Sequence, residues 1–524
     1  MKKRVLIACA LAAAIALAIN ASVRRSVTTD EFGSIWLAGQ NDPAFIIRKV
    51  LEADIHPPTP YLFLHYWGKV LGYGDLAMRL PSLLAVLFSL LVIRRLVGQL
   101  QPAQNKAPRM IALVLAMSAP VLWIQASSAR YYALGTLAGL LSTSCYLSWI
   151  QRRGPGRWWA YVLTTVAAFH IQYLLAALLV IAQGLHFVLR GVRRAGPSAL
   201  RRWLFAQAGV IALAAPVIVW TVLPLLTGER AALGNRAHEG LGGLAAFPIV
   251  LGGHVYATLT GGVPFPWDFW VTVPVILAFV GVLALDLRGR RIMFGADMLW
   301  LVILPFALLA FAVAVLLPVT GFFQGVLRAG HIAVLCWILV GYMVAEIERL
   351  AWRRLAAGCL IAASAYGLVV HCLNGASMTQ TPPLKTMAHQ ILSKTPALAS
   401  TVVFHPFEHG WGDALSRYLP AFRCVMATDE KAVTLSEVQN ALAEGGRPST
   451  VWIIERSRFT GSAANPADWL TANGFAEAEA TGFQEQRAFD LRVKDALKRI
   501  PQLHYAPAPS QRFIWTLRRF DRAG

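Results

Sequence analysis

Residues 26–40, SVTTDEFGSIWLAGQ, set Asp30 and Glu31 side by side just after the first apolar run, in a chain with only 27 acidic residues among 524. A carboxylate at a membrane boundary is costly in lipid and faces a cavity instead. There it can take a proton or stabilise a developing positive charge. Helix capping is the plainer role: Thr28, Thr29 and Asp30 all suit an N-cap before FGSIWLAG, although one cap accounts for one acid. Arg130 in SSARYYALG and Arg328 in GVLRAGH stand apart from the other basic clusters. A planar guanidinium suits a phosphate group, with lipid contact by snorkelling as the alternative. His56 precedes two prolines, and a lone histidine is more often structural than chemical. The stretch HPFEH, 405–409, matches the H-x-x-E-H zinc-protease pattern. That pattern needs a helix, and Pro406 follows His405 directly after a β-like TVVF. HPFEH therefore reads as a strand end and loop, with contact to an acceptor as its alternative.

The elements that must position these residues follow from composition. Hydrophobic residues make up 56% and charged residues 14% of the chain, against about half and about a quarter in soluble proteins. Apolar runs of roughly 17–25 residues, enough for a helix to cross a bilayer, recur along it. The reading is a polytopic α-helical membrane protein. The net charge of +21 lies in short clusters between apolar runs: KKR, RR at 94–95, QRRGPGR, RGVRR, RGRR and ERLAWRR. That is the positive-inside pattern, and it also favours anionic membrane lipids. It is not the basic, aromatic-laced face of a nucleic-acid-binding module, so no nucleic acid is expected. The N-terminal apolar run is expected to stay as a first helix rather than be cleaved as a signal.

Orientation from the basic clusters gives spans near 5–22, 78–96, 109–127, 131–150, two within 158–189 broken at FHIQY, 203–225, 268–286, 297–317, 331–347 and 355–373. The total is about eleven. The break places His170, Gln172 and Tyr173 at an outer turn. Residues 23–77 form an external segment. Within it HPPTPYLFLHYWGKVLG reads as an interfacial helix with Tyr61, Tyr66 and Trp67 at head-group level. Residues 226–267 form an external mobile loop whose Gly-studded middle reads as re-entrant. The membrane region is thus 1–373. From 374 to 524, short β-rich runs (TVVFH, VWIIE, FIWTLRRF) alternate with helical stretches at 384–394, 434–444 and 465–473. This predicts a small extracytoplasmic α/β domain.

In order and spacing, TTDEFGSIW, HPPTPYLFLHYWGKVLGYGDLAMRLPSLL and SSARYYALG resemble the GT-C glycosyltransferases. The branch is the bacterial one akin to protein O-mannosyltransferases and lipid A aminoarabinose transferases, the RgtA/B/C/D-like group. FHIQYLLAALLVIAQ, VLRAGHIAVL and PPLKTMAHQIL…TVVFHPF fit as well, so the resemblance spans about residues 1–420. The HPP…RLPS block is its most specific part.

The resemblance implies a sugar donor carried on a polyprenyl phosphate and used at the extracytoplasmic face of a bacterial inner membrane. It carries Asp30, with Glu31 beside it, over to the catalytic carboxylate. It carries Arg130, and less directly Arg328, over to the donor phosphate, since Ala329 and Gly330 follow where relatives often show Arg-Tyr. His56, Tyr131, His170, Tyr173 and His331 are substrate-pocket candidates. Ser127 and Ser128 stand where relatives often have an acid, so a divalent metal, although compatible with the family, is not supported here and no metal ligand is assigned. Glycosyl transfer passes through an oxocarbenium-like state, and no Gly-rich nucleotide loop is evident. The expected reaction is transfer of a hexosyl or pentosyl group with inversion. The acceptor would be a glycan, lipid or protein, with a cell-envelope glycolipid or polysaccharide such as lipopolysaccharide as the leading class. A transporter or flippase of a lipid-linked anionic substrate is the competing class. Its usual paired broken helices in two halves are not seen in the sequence.

Overall fold

Long apolar runs with few breakers become long helices, and the computed structural model is mostly helical up to residue 374. The structure describes residues 2–54, 56–100, 106–152, 154–191, 197–226, 247–261, 269–287, 299–316, 328–374, 383–395, 400–406, 415–427, 433–444, 448–456, 466–484 and 514–523. The chain divides into two units, one comprising Met1–Val23, Leu37–Met378 and Phe489–Tyr505, the other Arg24–Trp36, Thr379–Ala488 and Ala506–Gly524.

The first unit contains α1 (Lys2–Arg24), α3 (Pro43–Ala53), α4 (Thr59–Leu71), α5 (Asp75–Leu100), α6 (Lys106–Met117), α7 (Pro120–Ala126), α8 (Tyr132–Arg152) and α9 (Pro155–His186). Helix α2 (Thr29–Ala38) begins in the other unit. Next come α10 (Pro197–Val217), α11 (Phe247–Thr260), α12 (Phe269–Leu287), α13 (Leu304–Leu316), α14 (Gly330–Ala345) and α15 (Leu350–Asn374). Among the described residues, five helices are long and apolar enough to cross a membrane: Asp75–Leu100, Pro108–Ala126, Tyr132–Arg152, Pro155–Arg190 and Ala199–Val222. Helix α9 runs for 32 residues, yet its backbone leaves helical geometry at Gln172 (φ −156°, ψ 83°), inside the FHIQY stretch where the sequence reading places a turn. The 226–267 stretch contains the 14-residue α11, too short by itself to span about 30 Å of hydrocarbon. Its flanks, 227–246 and 262–268, lie outside the described residues.

Side chains too apolar to need water pack these helices against each other, and a few polar contacts fix their register. Tyr161 of α9, Trp149 of α8, Phe187 just after α9 and Trp203 of α10 form a four-ring stack. Successive centroids lie 5.8, 5.9 and 5.2 Å apart and interplanar angles stay at or below 12°. Arg95 Nη2 donates to Ser148 Oγ at 2.7 Å, Trp337 Nε1 donates to the Thr258 carbonyl at 2.8 Å, and the Tyr342 hydroxyl donates to the Val97 carbonyl. Gly341 allows α14 to lie on α6, because a Cβ there would sit 2.5 Å from the Ala112 Cα. Small residues let helices approach in this way where lipid supplies no hydrophobic drive.

The second unit is α/β. Strands β1 (Thr401–His405), β2 (Arg423–Met426), β3 (Thr450–Arg456), β4 (Phe475–Gln484) and β5 (Ile514–Arg522) form one sheet in the order β2-β1-β3-β5-β4. β1 is parallel to β2 and β3, while β5 is antiparallel to β3 and β4. Helices α16 (Leu384–Lys394), α17 (Leu435–Glu444) and α18 (Pro466–Ala472) accompany it. Val402, Phe404, Val438, Val451, Ile453, Leu470 and Phe520 are in its core. Strand β4, FAEAEATGFQ, is rich in helix formers and was not read as a strand. Its pairing with β5 is reinforced by Arg518, whose Nε and Nη2 donate to Glu477 at 2.9 and 2.6 Å, and Lys394 Nζ lies 2.5 Å from Glu479 Oε1. His405 ends β1 and Pro406 follows outside the strand, while Phe407, Glu408 and His409 lie outside the described residues.

Candidate functional site

Residues Arg24–Trp36, which the sequence reading assigns to the external segment 23–77, group with the α/β unit. The Tyr418 hydroxyl accepts from the Val27 N–H at 3.0 Å, and Ser26 Oγ accepts from the Lys385 N–H at 3.1 Å. The start of α2 is a capping box. Glu31 Oε2 accepts from the Thr28 N–H at 2.9 Å, and Thr28 Oγ1 accepts from the Glu31 N–H at 3.2 Å. This reciprocal pair satisfies two backbone donors that a helix start leaves open. The same T-x-x-E device recurs at α17, where Thr434 N–H donates to Glu437 at 2.8 Å and Glu437 N–H donates back at 3.4 Å. Glu31 also pairs with Arg25 at 3.6 Å, both side chains being nearly inaccessible at 1% and 6%. The structure therefore separates the acidic pair. The Glu31 carboxylate is committed to the cap and to Arg25, whereas Asp30, half-buried at the second helical position, is not part of that capping exchange.

In the membrane unit, Arg130 lies in the turn between α7 and α8, its carbonyl accepting from Ser82 Oγ at 3.1 Å. Its guanidinium carbon is 5.0 Å from the Tyr131 ring centre and 5.6 Å from that of Tyr132. Such cation–ring contacts hold a guanidinium in place without consuming its donors. Arg130 Nη1 donates to the Tyr61 hydroxyl at 3.5 Å, and that hydroxyl donates to Asp54 Oδ2 at 2.5 Å. His56 closes the cluster. Its ring centre lies 4.8 Å from that of Tyr131, its Nε2 is 3.9 Å from Asp54 Oδ1, and its backbone N–H donates to the same oxygen at 3.3 Å.

Burial pushes the Tyr61 hydroxyl well above the usual tyrosine range, opposed by Arg130 and reinforced by Asp54. It is therefore a neutral donor. The buried Tyr131 hydroxyl beside Arg130 meets no hydrogen-bond partner among the described residues. A guanidinium fork set against buried tyrosines suits an oxyanion such as phosphate.

His331 is buried at the start of α14 against Gly139, where an added Cβ would lie 2.5 Å from its Cγ. Neither of its ring nitrogens has a partner among the described residues. His170 bridges elements instead: Nδ1 lies 3.4 Å from Thr59 Oγ1 and Nε2 3.1 Å from the Leu213 carbonyl. Tyr173 is half-buried three residues further along α9. Among the described residues no group of three or more His, Cys, Asp or Glu side chains could hold a metal ion. Ser127, at the position where an acid was sought, has its Oγ 2.9 Å from His371 Nε2.

Two residues were missed or misread from sequence. Tyr61 is not a head-group aromatic but 1% exposed. It belongs to the face Tyr61, Leu64, His65, Gly68 that α4 buries, while Tyr66 points outward at 56%. The i, i+3, i+4, i+7 spacing carried that signal. Asp54 was passed over although the scarcity of acids that singled out Asp30 applied to it equally.

No protein-family model matches the sequence, and no curated protein does. Among solved structures, the chain is similar to ArnT from Cupriavidus metallidurans bound to undecaprenyl phosphate, with 12% identity over 98% of each chain and a TM-score of 0.50. The apo state of the same transferase gives 12% identity over 99% of this chain and 98% of that one, with a TM-score of 0.48. Arabinofuranosyltransferase AftD from Mycobacteria gives 14% identity over 99% of this chain and 42% of that one, with a TM-score of 0.45. At such identity the likeness is one of fold, and the fold is the GT-C type that the sequence resemblance implies.

Proposed function

We propose that this chain is a membrane glycosyltransferase that moves a sugar from a polyprenyl-phosphate donor to an acceptor at the extracytoplasmic face of a bacterial inner membrane. The acceptor class is a cell-envelope glycolipid or polysaccharide. In this reading residues 1–373 cross the membrane about eleven times, and 374–524 lie outside it. The observation that carries the reading is Arg130, its guanidinium set over the Tyr131 and Tyr132 rings and donating to the buried Tyr61 hydroxyl. It is supported by a fold shared with a transferase whose solved structure holds undecaprenyl phosphate.

Arg130 and Arg328 neutralise the charge that grows on the lipid phosphate as the glycosidic bond breaks, a form of electrostatic stabilisation. Asp30 accepts the proton of the acceptor hydroxyl as that oxygen attacks the anomeric carbon. The new bond forms on the face opposite the leaving phosphate, so the configuration inverts. Products are the glycosylated acceptor and the free polyprenyl phosphate. Glu31 supports this chemistry indirectly, by fixing the first turn of the helix that carries Asp30.

The test uses full-length protein in lipid nanodiscs, polyprenyl-phosphate pentose and hexose donors, and envelope lipid extracted from a strain lacking the gene. Release of polyprenyl phosphate is followed by mass spectrometry. Asp30→Asn, in protein that inserts and purifies as the parent does, is expected to lower turnover by about 10²–10⁴. Turnover at the parent rate would refute the assignment.

A further inference from the structure

The phosphate-binding arginine is held through a neutral phenol by a carboxylate that plays no part in the transfer chemistry. We propose that Asp54 is a positioning residue: through the Tyr61 hydroxyl it fixes Arg130 in the orientation that receives the donor phosphate. The proposal rests on the reading of the chain as a polyprenyl-phosphate-dependent transferase.

The geometry is a three-member relay. Asp54 follows the last turn of α3, where its backbone N–H donates to the Val50 carbonyl at 2.9 Å and its own conformation is extended, so the carboxylate leaves the helix axis. Its two oxygens have separate uses. Oδ2 accepts the short bond from Tyr61, and Oδ1 faces the backbone N–H and ring of His56. Because the Tyr61 hydroxyl spends its only proton on Asp54, it can present only lone pairs to Arg130 Nη1, at 3.5 Å. A phenol with a free proton could rotate it towards the arginine and repel it. Asp54 therefore sets the direction of the hydroxyl, and the hydroxyl sets one edge of the guanidinium.

The rings of Tyr131 and Tyr132, at 5.0 and 5.6 Å, fix the flat faces of Arg130. With its faces and one edge engaged, the guanidinium is held in one orientation. Preorganised donors of this kind act on an anion without reorganisation at the moment of binding.

The experiment measures binding of a short-chain polyprenyl phosphate, with the matching polyprenol as control, to the parent and to Tyr61→Phe, Asp54→Asn and Asp54→Glu in nanodiscs. Turnover of a polyprenyl-phosphate sugar is measured in parallel. Tyr61→Phe keeps the buried ring and removes only the relay oxygen, so its folding serves as a control. Tyr61→Phe and Asp54→Asn are expected to weaken polyprenyl phosphate binding about tenfold, or about 1.4 kcal/mol. Polyprenol binding should be unchanged, KM for the donor raised, and kcat lowered as well, because Arg130 also bears on the charge that grows as the bond breaks. Asp54→Glu, which restores a carboxylate on a longer stem, is expected to recover part of the loss. Parent-like phosphate affinity in Tyr61→Phe would overturn the relay. An equal loss for phosphate and alcohol would also overturn it, because it would mark a purely structural role. A parent protein that does not discriminate phosphate from alcohol would instead overturn the underlying functional reading.

Discussion

Replacing Glu31 by glutamine separates a structural acid from a chemical one. The Arg25–Glu31 pair lies at 3.6 Å with side chains 6% and 1% exposed. At an effective dielectric of about 20 the gross attraction is about 5 kcal/mol. Desolvation of both ions offsets much of it, so the intact pair is a weak net stabiliser, but removal of one partner strands the other charge at a cost of about 3–5 kcal/mol. Arg25 has further interactions in the structure, which places the expected cost at the lower end. Glutamine can still accept from the Thr28 N–H, because it serves in capping boxes as glutamate does. Glu31→Gln thus isolates the charge, and Glu31→Ala adds about 1 kcal/mol for the lost cap. The assay is amide hydrogen exchange over residues 25–38 in the full chain in nanodiscs. A cost of about 3 kcal/mol corresponds to exchange roughly a hundredfold faster. Adding Arg25→Met to Glu31→Gln should restore most of the protection, since a neutral pair leaves no stranded charge. Turnover per folded molecule should stay within about tenfold of the parent, unlike that of Asp30→Asn. Unchanged protection in Glu31→Gln, or a double variant no better than the single, would refute the reasoning.

Two further outcomes test the frame around the site. Trp149 stacks between Tyr161 and Phe187, so Trp149→Ala should destabilise the membrane unit by about 3–5 kcal/mol, seen as a lower thermal midpoint in detergent; an unchanged midpoint would mean that the ring stack carries no stability. In the α/β unit, Arg518 holds the Glu477 carboxyl below its usual range, so its stabilising contribution is complete above an unfolded value of about 4.3 and fades as pH falls through the folded value. Glu455, pushed up by burial despite Arg518, has the opposite sign: its contribution is present below its unfolded value and fades as pH rises. Glu477→Gln should therefore flatten the loss of exchange protection in β4 and β5 on acidification below about pH 5, after correction for intrinsic exchange; an unaltered acid profile would contradict this.

What the sequence made legible followed local pattern. TVVFH, VWIIE and FIWTLRRF carry β-branched and aromatic residues, and each lies in a strand of the sheet. FAEAEATGFQ does not, because alternating alanine and glutamate favour helix locally and only pairing with β5 makes it a strand. RCVM, at four residues, is too short to show a period. The departure at Gln172 was legible from the excess length of one apolar run. The candidate site was legible as a set of residue types, but not as a division of labour. Among residues 23–77, the work of Glu31, Asp42 and Asp54 depends on what stands two to seven residues away. Asp42 caps α3 through the N–H groups of Ala44 and Phe45 at 2.9 and 3.1 Å. Glu31 completes a box with Thr28, three residues back, and Asp54 accepts the hydrogen bond of Tyr61, seven residues on. The cap at the head of α2 is made by Thr28 and Glu31, so the capping function that competed with chemistry for the acidic pair is met without Asp30. The T-x-x-E spacing behind that cap is visible in the chain from the start.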